Sequence, residues 1–252
     1  MVRGLRRRRL ELEILLSPRS ETTGAELAAE DPQVRRATSN AAVVEGSEII
    51  VLAMRPPQLR EAVEGLPFRV GQVVVSCLAN TPRDEVAALV APASTCRIIP
   101  LPTIEHGTGP LVLHPDLPAV HELFDGLGEF IAAPTESEFC AYSAASGTMS
   151  TFYAVQAVIS RWLMAQGASR AWAENYVRSM QQALAQTGAA RQGASEDLVA
   201  EHETRGGINE RVRLRLAHAG WFDALGSALD GLANIGGGEL EPDRQTMPPK
   251  AS

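Results

Sequence analysis

Residues able to grip an anion lie in this chain where apolar runs end, not in dense catalytic clusters. Ser17-Pro18-Arg19-Ser20 closes the run Leu10–Leu16, and Ala53-Met54-Arg55-Pro56 closes Ile49–Ala53. Further on, Gly206-Gly207 stands between Glu203-Thr204-Arg205 and Ile208-Asn209-Glu210, just before a helical pattern. Two glycines ahead of a helix let backbone N–H groups point freely at an anion, and the helix dipole assists. Such a nest suits a small carboxylate; the plainer alternative is an interhelical turn with Asn209 as N-cap. Ser146-Gly147-Thr148 falls in a helical stretch, where glycine costs about 1 kcal/mol against alanine unless something packs close. No G-x-S-x-G frame surrounds Ser146, so it is not a nucleophile elbow. The five histidines (His106, His114, His121, His202 and His218) show no metal-ligand spacing and are expected on the surface or in loops, with no metal site.

The elements that must position these residues follow from hydropathy. Ile49–Ala53 is a continuous apolar run stopped by Arg55-Pro56-Pro57, as expected of a strand buried on both faces of a parallel sheet. Leu10–Leu16, Val34–Ala37, Gln72–Cys77 and Arg97–Ile99 read as further strands, with Leu111–Leu113 and Glu129–Ala132 beyond them. Helices are expected at Thr22–Ala29, Ala41–Gly46, Leu59–Val63, Arg83–Val90 and Leu117–Leu127. Alternation of this kind predicts βαβ units and a parallel α/β sheet, whose ligands bind beyond the carboxyl ends of the strands. In dinucleotide folds the turn after the second strand receives the adenosine ribose. Hydroxyls and an arginine there, as at Ser17, Arg19 and Ser20, would accept the extra phosphate of NADP. Asn40 either caps the next helix or reaches a ribose.

After Pro134 the pattern changes. Thr135 and Glu138 form a capping-box pair, and apolar residues then recur at helical spacing from Phe139 through Trp162 to Gly167. Trp172 to Gly188, Asn209–Ala219 and Trp221–Leu232 complete an all-helical region. The expected organisation is therefore a Rossmann-like domain at 1–134, a helical domain at 135–235 and a disordered Gly/Pro-rich tail at 236–252. Phe152, Trp162, Trp172 and Trp221 are much apolar surface for so small a helical domain, so a homodimer or higher homo-oligomer is expected.

Composition narrows the function classes. The 252 residues carry a net charge of -7, which argues against general nucleic-acid affinity. No apolar run approaches the roughly 20 residues that span a bilayer. Three cysteines (Cys77, Cys96 and Cys140), none in a CxxC pair, suggest buried thiols in a reducing, cytoplasmic compartment. Arg3 and Arg6–Arg9 do not open a signal peptide, and Met1–Arg9 is read as a frayed terminus.

Taken in order, these segments resemble pyrroline-5-carboxylate reductases from Leu10 to Leu232. That family has a second strand running into an N/S-R-S turn, like Ser17, Arg19 and Ser20. Its Asn before a strand ending Ala-Val-Lys-Pro is similar to Asn40 and Ala53-Met54-Arg55-Pro56. Its Ser-Gly-Pro and Ser-Pro-Gly-Gly-Thr-Thr look like Ser146-Gly147-Thr148 and Thr204–Asn209. The resemblance implies a two-domain enzyme, a Rossmann-like sheet followed by an all-α dimerisation domain. It implies reduction of a cyclic imine carboxylate to proline, or a close analogue, with hydride from NADP(H). It places the coenzyme on Ser17, Arg19, Ser20, Asn40, Ala53, Met54, Arg55 and Pro56. It places the substrate on Ser146, Gly147, Gly206, Gly207, Ile208 and Asn209. Catalysis in that family is mostly placement.

The chain also departs from the pattern. Ile208 and Asn209 replace two threonines, so Asn209 is the candidate to stand in for the hydroxyl near the imine nitrogen. The family's opening strand and its Gly-x-Gly-x-x-Gly turn have no counterpart. The expectation is an N-terminally shortened form, with Met1–Arg9 where a helix belongs and weak NADPH binding. Leu10–Leu16 and Ile49–Ala53 would then either pair directly or flank a gap one strand wide. A competing reading is a non-catalytic relative that dimerises but binds nucleotide poorly. A hydroxyacid dehydrogenase would need a lysine in the helical domain, and the only lysine is Lys250.

Overall fold

The computed structural model describes residues 1–233; the tail expected to be disordered lies outside them. The described residues divide into two compact units, one formed by Met1–Ser143 together with Ala233, the other by Ala144–Leu232. The division falls inside the helix Glu136–Ser146 (α7).

The first unit holds β1 (Ile14–Leu16), β2 (Val34–Arg36), β3 (Ile49–Leu52), β4 (Val73–Ser76), β5 (Ser94–Pro100), β6 (Pro110–His114) and β7 (Glu129–Ala132). Between them run α1 (Val2–Arg8), α2 (Glu21–Glu30), α3 (Asn40–Glu45), α4 (Leu59–Val63), α5 (Arg83–Val90) and α6 (Pro118–Phe124). All pairings are parallel except β5 with β6, where Arg97 stands opposite His114. Val74, Val75, Cys96 and Leu113 are fully buried, as expected of strands covered on both faces.

Two expectations about the start of the chain need correction. Met1–Arg9 is not frayed: Val2–Arg8 is helical, and Leu5 is buried in a core cluster with Ile104, Phe124 and Leu127. Gly4 permits this approach, since a Cβ there would stand 2.6 Å from the Ile104 carbonyl oxygen. The strand expected over Leu10–Leu16 is confined to Ile14–Leu16. The cause is Arg6, whose Nη1 donates to the carbonyls of Arg9, Leu10 and Leu12 at 2.9, 2.8 and 2.7 Å and holds that segment in a turn.

β1 and β3 do not pair. The strands form two sheets, β1-β2 and β3-β4-β5-β6-β7, so β1 and β3 are each terminal. Yet Leu12, Ile14, Ile49 and Val51 all pack against one core cluster. A cavity of about 550 Å³ is walled by Arg9 and Leu12 before β1 and by Glu48, Ile49 and Val73 at the start of β3 and β4. Of the two outcomes anticipated from sequence, the gap is the one observed.

The gap sets a testable pattern of protection. Val73 and Cys77 donate to the carbonyls of Glu48 and Leu52, so the even-numbered residues of β3 face β4. Ile49 and Val51 therefore turn their N–H groups toward the gap. On β1, Ile14 donates to Gln33 and Leu16 accepts from Ala37, which leaves Leu15 facing outward. Hydrogen exchange followed by NMR should find the Ile49, Val51 and Leu15 amides exchanging at least roughly tenfold faster than Ile50 and Leu52. Equal protection would mean the gap is closed in solution.

The second unit is helical: α8 (Met149–Ala165), α9 (Arg170–Ala189), α10 (Ser195–Glu201), α11 (Ile208–His218) and α12 (Trp221–Ala233, its last residue beyond the unit). The single helical run expected from Phe139 to Gly167 is two helices, α7 and α8, broken at Gly147-Thr148. Ser169 caps α9, accepting from Trp172 N–H at 3.4 Å. Trp172 and Trp162 remain 74% and 61% exposed on this chain, which leaves their apolar surface without cover. Among the described residues, no helix is long and apolar enough to cross a membrane.

Candidate functional site

The S-P-R-S turn leaves β1 at its carboxyl end. Ser17 Oγ accepts from Arg19 N–H at 3.4 Å, and Ser20 is the N-cap of α2 without a side-chain capping bond. Ser17, Arg19 and Ser20 are all exposed. A residue not anticipated from sequence joins them: Arg36, ending β2, donates from Nη2 to the Pro18 carbonyl at 3.2 Å. The signal was present as a second arginine at the neighbouring strand end, but only the β1–β2 register brings it to the turn.

Asn40 is not the cap of α3. Ser39 fills that role, accepting from Ala42 N–H at 3.0 Å, while Asn40 Nδ2 donates to the Ala62 carbonyl at 3.0 Å and fastens α3 to α4. Ala53 and Arg55 are exposed beyond β3, Met54 packs against a core cluster, and Pro56 opens a short 3-10 turn.

In the helical unit the Gly-Gly turn precedes α11. Gly206 takes φ +75°, a backbone that L side chains rarely adopt. A Cβ on Gly207 would stand 2.7 Å from the Thr204 carbonyl oxygen. Gly207, not Asn209, is the N-cap of α11, and Ile208 is 80% exposed. Asn209 Nδ2 is committed to the His202 carbonyl at 2.7 Å. The turn's amide already holds a carboxylate: Gly206 N–H donates to Glu210 Oε2 at 2.5 Å. Glu203 is gripped by Arg213 at 2.5 and 2.8 Å, and that hydrogen-bonded guanidinium holds its carboxyl below the usual range. Ser146 ends α7 and Gly147 lies in the break before α8, where a Cβ would stand 3.0 Å from the Ala144 carbonyl oxygen.

One observation corrects the reading of the titratable residues. His114 is not a loop residue: it sits on β6 with its ring 2.9 Å from the Ala133 carbonyl and 3.6 Å from Glu136. Among the described residues no His/Cys/Asp/Glu group could hold a metal ion. Of the cysteines, Cys96 is fully buried, and Cys77 packs half-buried against the same core cluster. Burial pushes both thiols up to about 12 from a reference of 9.0. Below pH 9 native and unfolded thiols are both protonated; above it only the unfolded ones ionise. Stability should therefore fall between pH 9 and 12, by about 1.4 kcal/mol per pH unit for each thiol. Urea midpoints between pH 8 and 10.5 should fall more steeply for the native protein than for Cys96→Val. Parallel curves would show that Cys96 ionises freely in the fold.

Comparison with known proteins follows this geometry. Residues 1–80 match a family described as NADP oxidoreductase, coenzyme F420-dependent. A pyrroline-5-carboxylate reductase from Streptococcus pyogenes superposes with a TM-score of 0.80 at 18% identity, over 94% of this chain and 92% of that one. The fold is that of the pyrroline-5-carboxylate reductases. The enzyme of that name from Plasmodium falciparum, solved with NADP bound, superposes at 0.79 with 14% identity over 94% and 91%. A reductive aminase from Aspergillus terreus in complex with NADPH and ethyl levulinate is similar over 79% of this chain and 72% of its own, at 0.59 with 13% identity. Among curated proteins, no sequence matches this chain. The pyrroline-5-carboxylate reductase fold accounts for the parallel-dominated sheet followed by helices.

The turn after β1 offers the groups that the adenosine end of a nicotinamide coenzyme would need. Hydroxyls at Ser17 and Ser20 suit a ribose, and Arg19 and Arg36 bring positive charge, neither having a carboxylate partner among the described residues.

Proposed function

We propose that the chain is an NADP-dependent reductase of a cyclic imine carboxylate, pyrroline-5-carboxylate or a close analogue, within the pyrroline-5-carboxylate reductase family. The observation that carries this reading is the S-P-R-S turn, closed by Arg36, at the end of a strand in a fold shared with NADP-binding imine reductases. The coenzyme supplies hydride when bound. Ser17, Arg19, Ser20 and Arg36 would hold its adenosine ribose, and Asn40 and Ala53–Pro56 would line the coenzyme's path. Gly206 and Gly207 would orient the substrate carboxylate, with Ser146 and Gly147 closing the substrate site. Ile208 would flank the substrate position.

Asn209 spends one amide N–H on the His202 carbonyl and keeps a second, which would stand in for the missing threonine hydroxyl. A protonated imine needs little activation beyond placement, so the reading requires no triad. The exposed tryptophans of the helical unit support a homodimer or larger homo-oligomer. Cytoplasmic residence is part of the same proposal.

The gap between β1 and β3 favours a second reading, a relative that assembles without turnover and holds nucleotide weakly. Incubating the purified protein with NADPH and pyrroline-5-carboxylate separates the two. Consumption of NADPH with formation of proline supports the reductase. Assembly into dimers without any consumption supports the second reading.

A further inference from the structure

We infer that Arg36 is the second cation of a phosphate subsite at the S-P-R-S turn and that it makes the chain selective for 2′-phosphorylated adenosine, hence for NADPH over NADH. This deepens the coenzyme reading above and rests on it.

The charge pattern sets Arg36 apart from its strand neighbour. In a chain of net charge -7, arginines of the first unit are mostly neutralised: Arg3 by Glu30, Arg6 by Asp31, and Arg35 by Glu13. Arg35 and Arg36 are adjacent in β2, so they point to opposite faces. One takes a carboxylate; the other takes only the Pro18 carbonyl and keeps its remaining N–H donors exposed.

The path of the Arg36 side chain is also built. Gly24 is buried within α2, where glycine is disfavoured, and a Cβ there would stand 3.2 Å from Cδ and Nε of Arg36. Gly24 thus leaves a track along which the guanidinium reaches the turn. A planar guanidinium can hold a carbonyl with one N–H and a phosphate with others. Arg19 emerges from the same turn, and Ser17 and Ser20 add hydroxyls. An uncompensated arginine anchored on this turn, with a second within the turn itself, fits a phosphate monoester, which an unphosphorylated adenosine does not present there.

The test uses the 252-residue protein and fragments of the adenosine half, which do not depend on the rest of the coenzyme path. Calorimetric titration should show 2′,5′-ADP binding at least roughly tenfold more tightly than 5′-AMP. In Arg36→Gln the affinity for 2′,5′-ADP should fall roughly ten- to hundredfold with 5′-AMP unchanged. Arg36→Lys should restore part of the preference, and Arg35→Gln should leave it intact. An undiminished preference in Arg36→Gln overturns the role of Arg36. Equal binding of the two fragments by the native protein overturns the subsite while leaving the coenzyme reading to the NADPH assay. If neither fragment binds, the subsite is overturned, and absence of NADPH binding as well removes the coenzyme reading with it.

Discussion

Glu136→Ala should destabilise the first unit by about 3 kcal/mol, because it strands a buried charge. Arg97 lies on β5 with its side chain 2% exposed, and its Nη1 donates to Glu136 Oε1 at 2.5 Å. The guanidinium also stacks 4.4 Å from the Phe139 ring centre and donates to the Leu78 carbonyl at 3.3 Å, while Nε has no partner. Neither the ring nor one carbonyl replaces a counter-charge. The expected loss sits at the lower end for buried pairs because the Glu136 side chain is 36% exposed, so water partly screens it. Replacing both partners, Arg97→Met with Glu136→Ala, should recover most of the loss by removing the charge. Urea unfolding of the three proteins decides this. A single variant within about 0.5 kcal/mol of the native protein would mean that the pair carries no net stabilisation.

Glu210→Ala should tighten binding of the substrate carboxylate by roughly tenfold or more. In the structure the Gly206 amide is already satisfied by Glu210, a carboxylate from its own helix. This shows that the turn accepts a carboxylate, and it also means that an incoming one must displace Glu210 against like-charge repulsion. Removing the side chain opens the amide and removes the repulsion together. The helix should lose only about 1 kcal/mol, because the lost contact is a single capping interaction. Titration with L-proline, followed through the Gly206 amide resonance, measures the change. Weaker binding in the variant would mean that Glu210 supports the site instead of competing for it.

Much of the fold was legible in sequence because buried parallel strands announce themselves. Val73–Ser76 reads as an apolar run because it is buried almost throughout, and Ile49–Leu52 because its buried Ile50 and Leu52 alternate with Ile49 and Val51 packed against a second core cluster. Alternation with short helices then settles the class. What sequence left hidden depends on contacts between distant residues. Arg6 reaching carbonyls along the chain shortens β1, and no local pattern encodes that. The helix break at Gly147-Thr148 was masked because the apolar spacing continues across it.

The candidate residues divide in the same way. Ser17, Arg19 and Ser20 cluster because they share one turn, as reading the turn implied. Arg36 enters only through the parallel register of β1 with β2. Asn40 and Asn209 were nominated for their amides, and each spends one N–H on a backbone carbonyl, at Ala62 and at His202, that no local pattern names.

The account stands on hydride passing from a nicotinamide coenzyme to an imine carbon. Supplying NADPH deuterated at the transferring C4 position together with pyrroline-5-carboxylate, and analysing the proline by mass spectrometry, tests that step directly. The account predicts one deuterium retained at C5 of the product. Saturating coenzyme and imine with no labelled proline would contradict it.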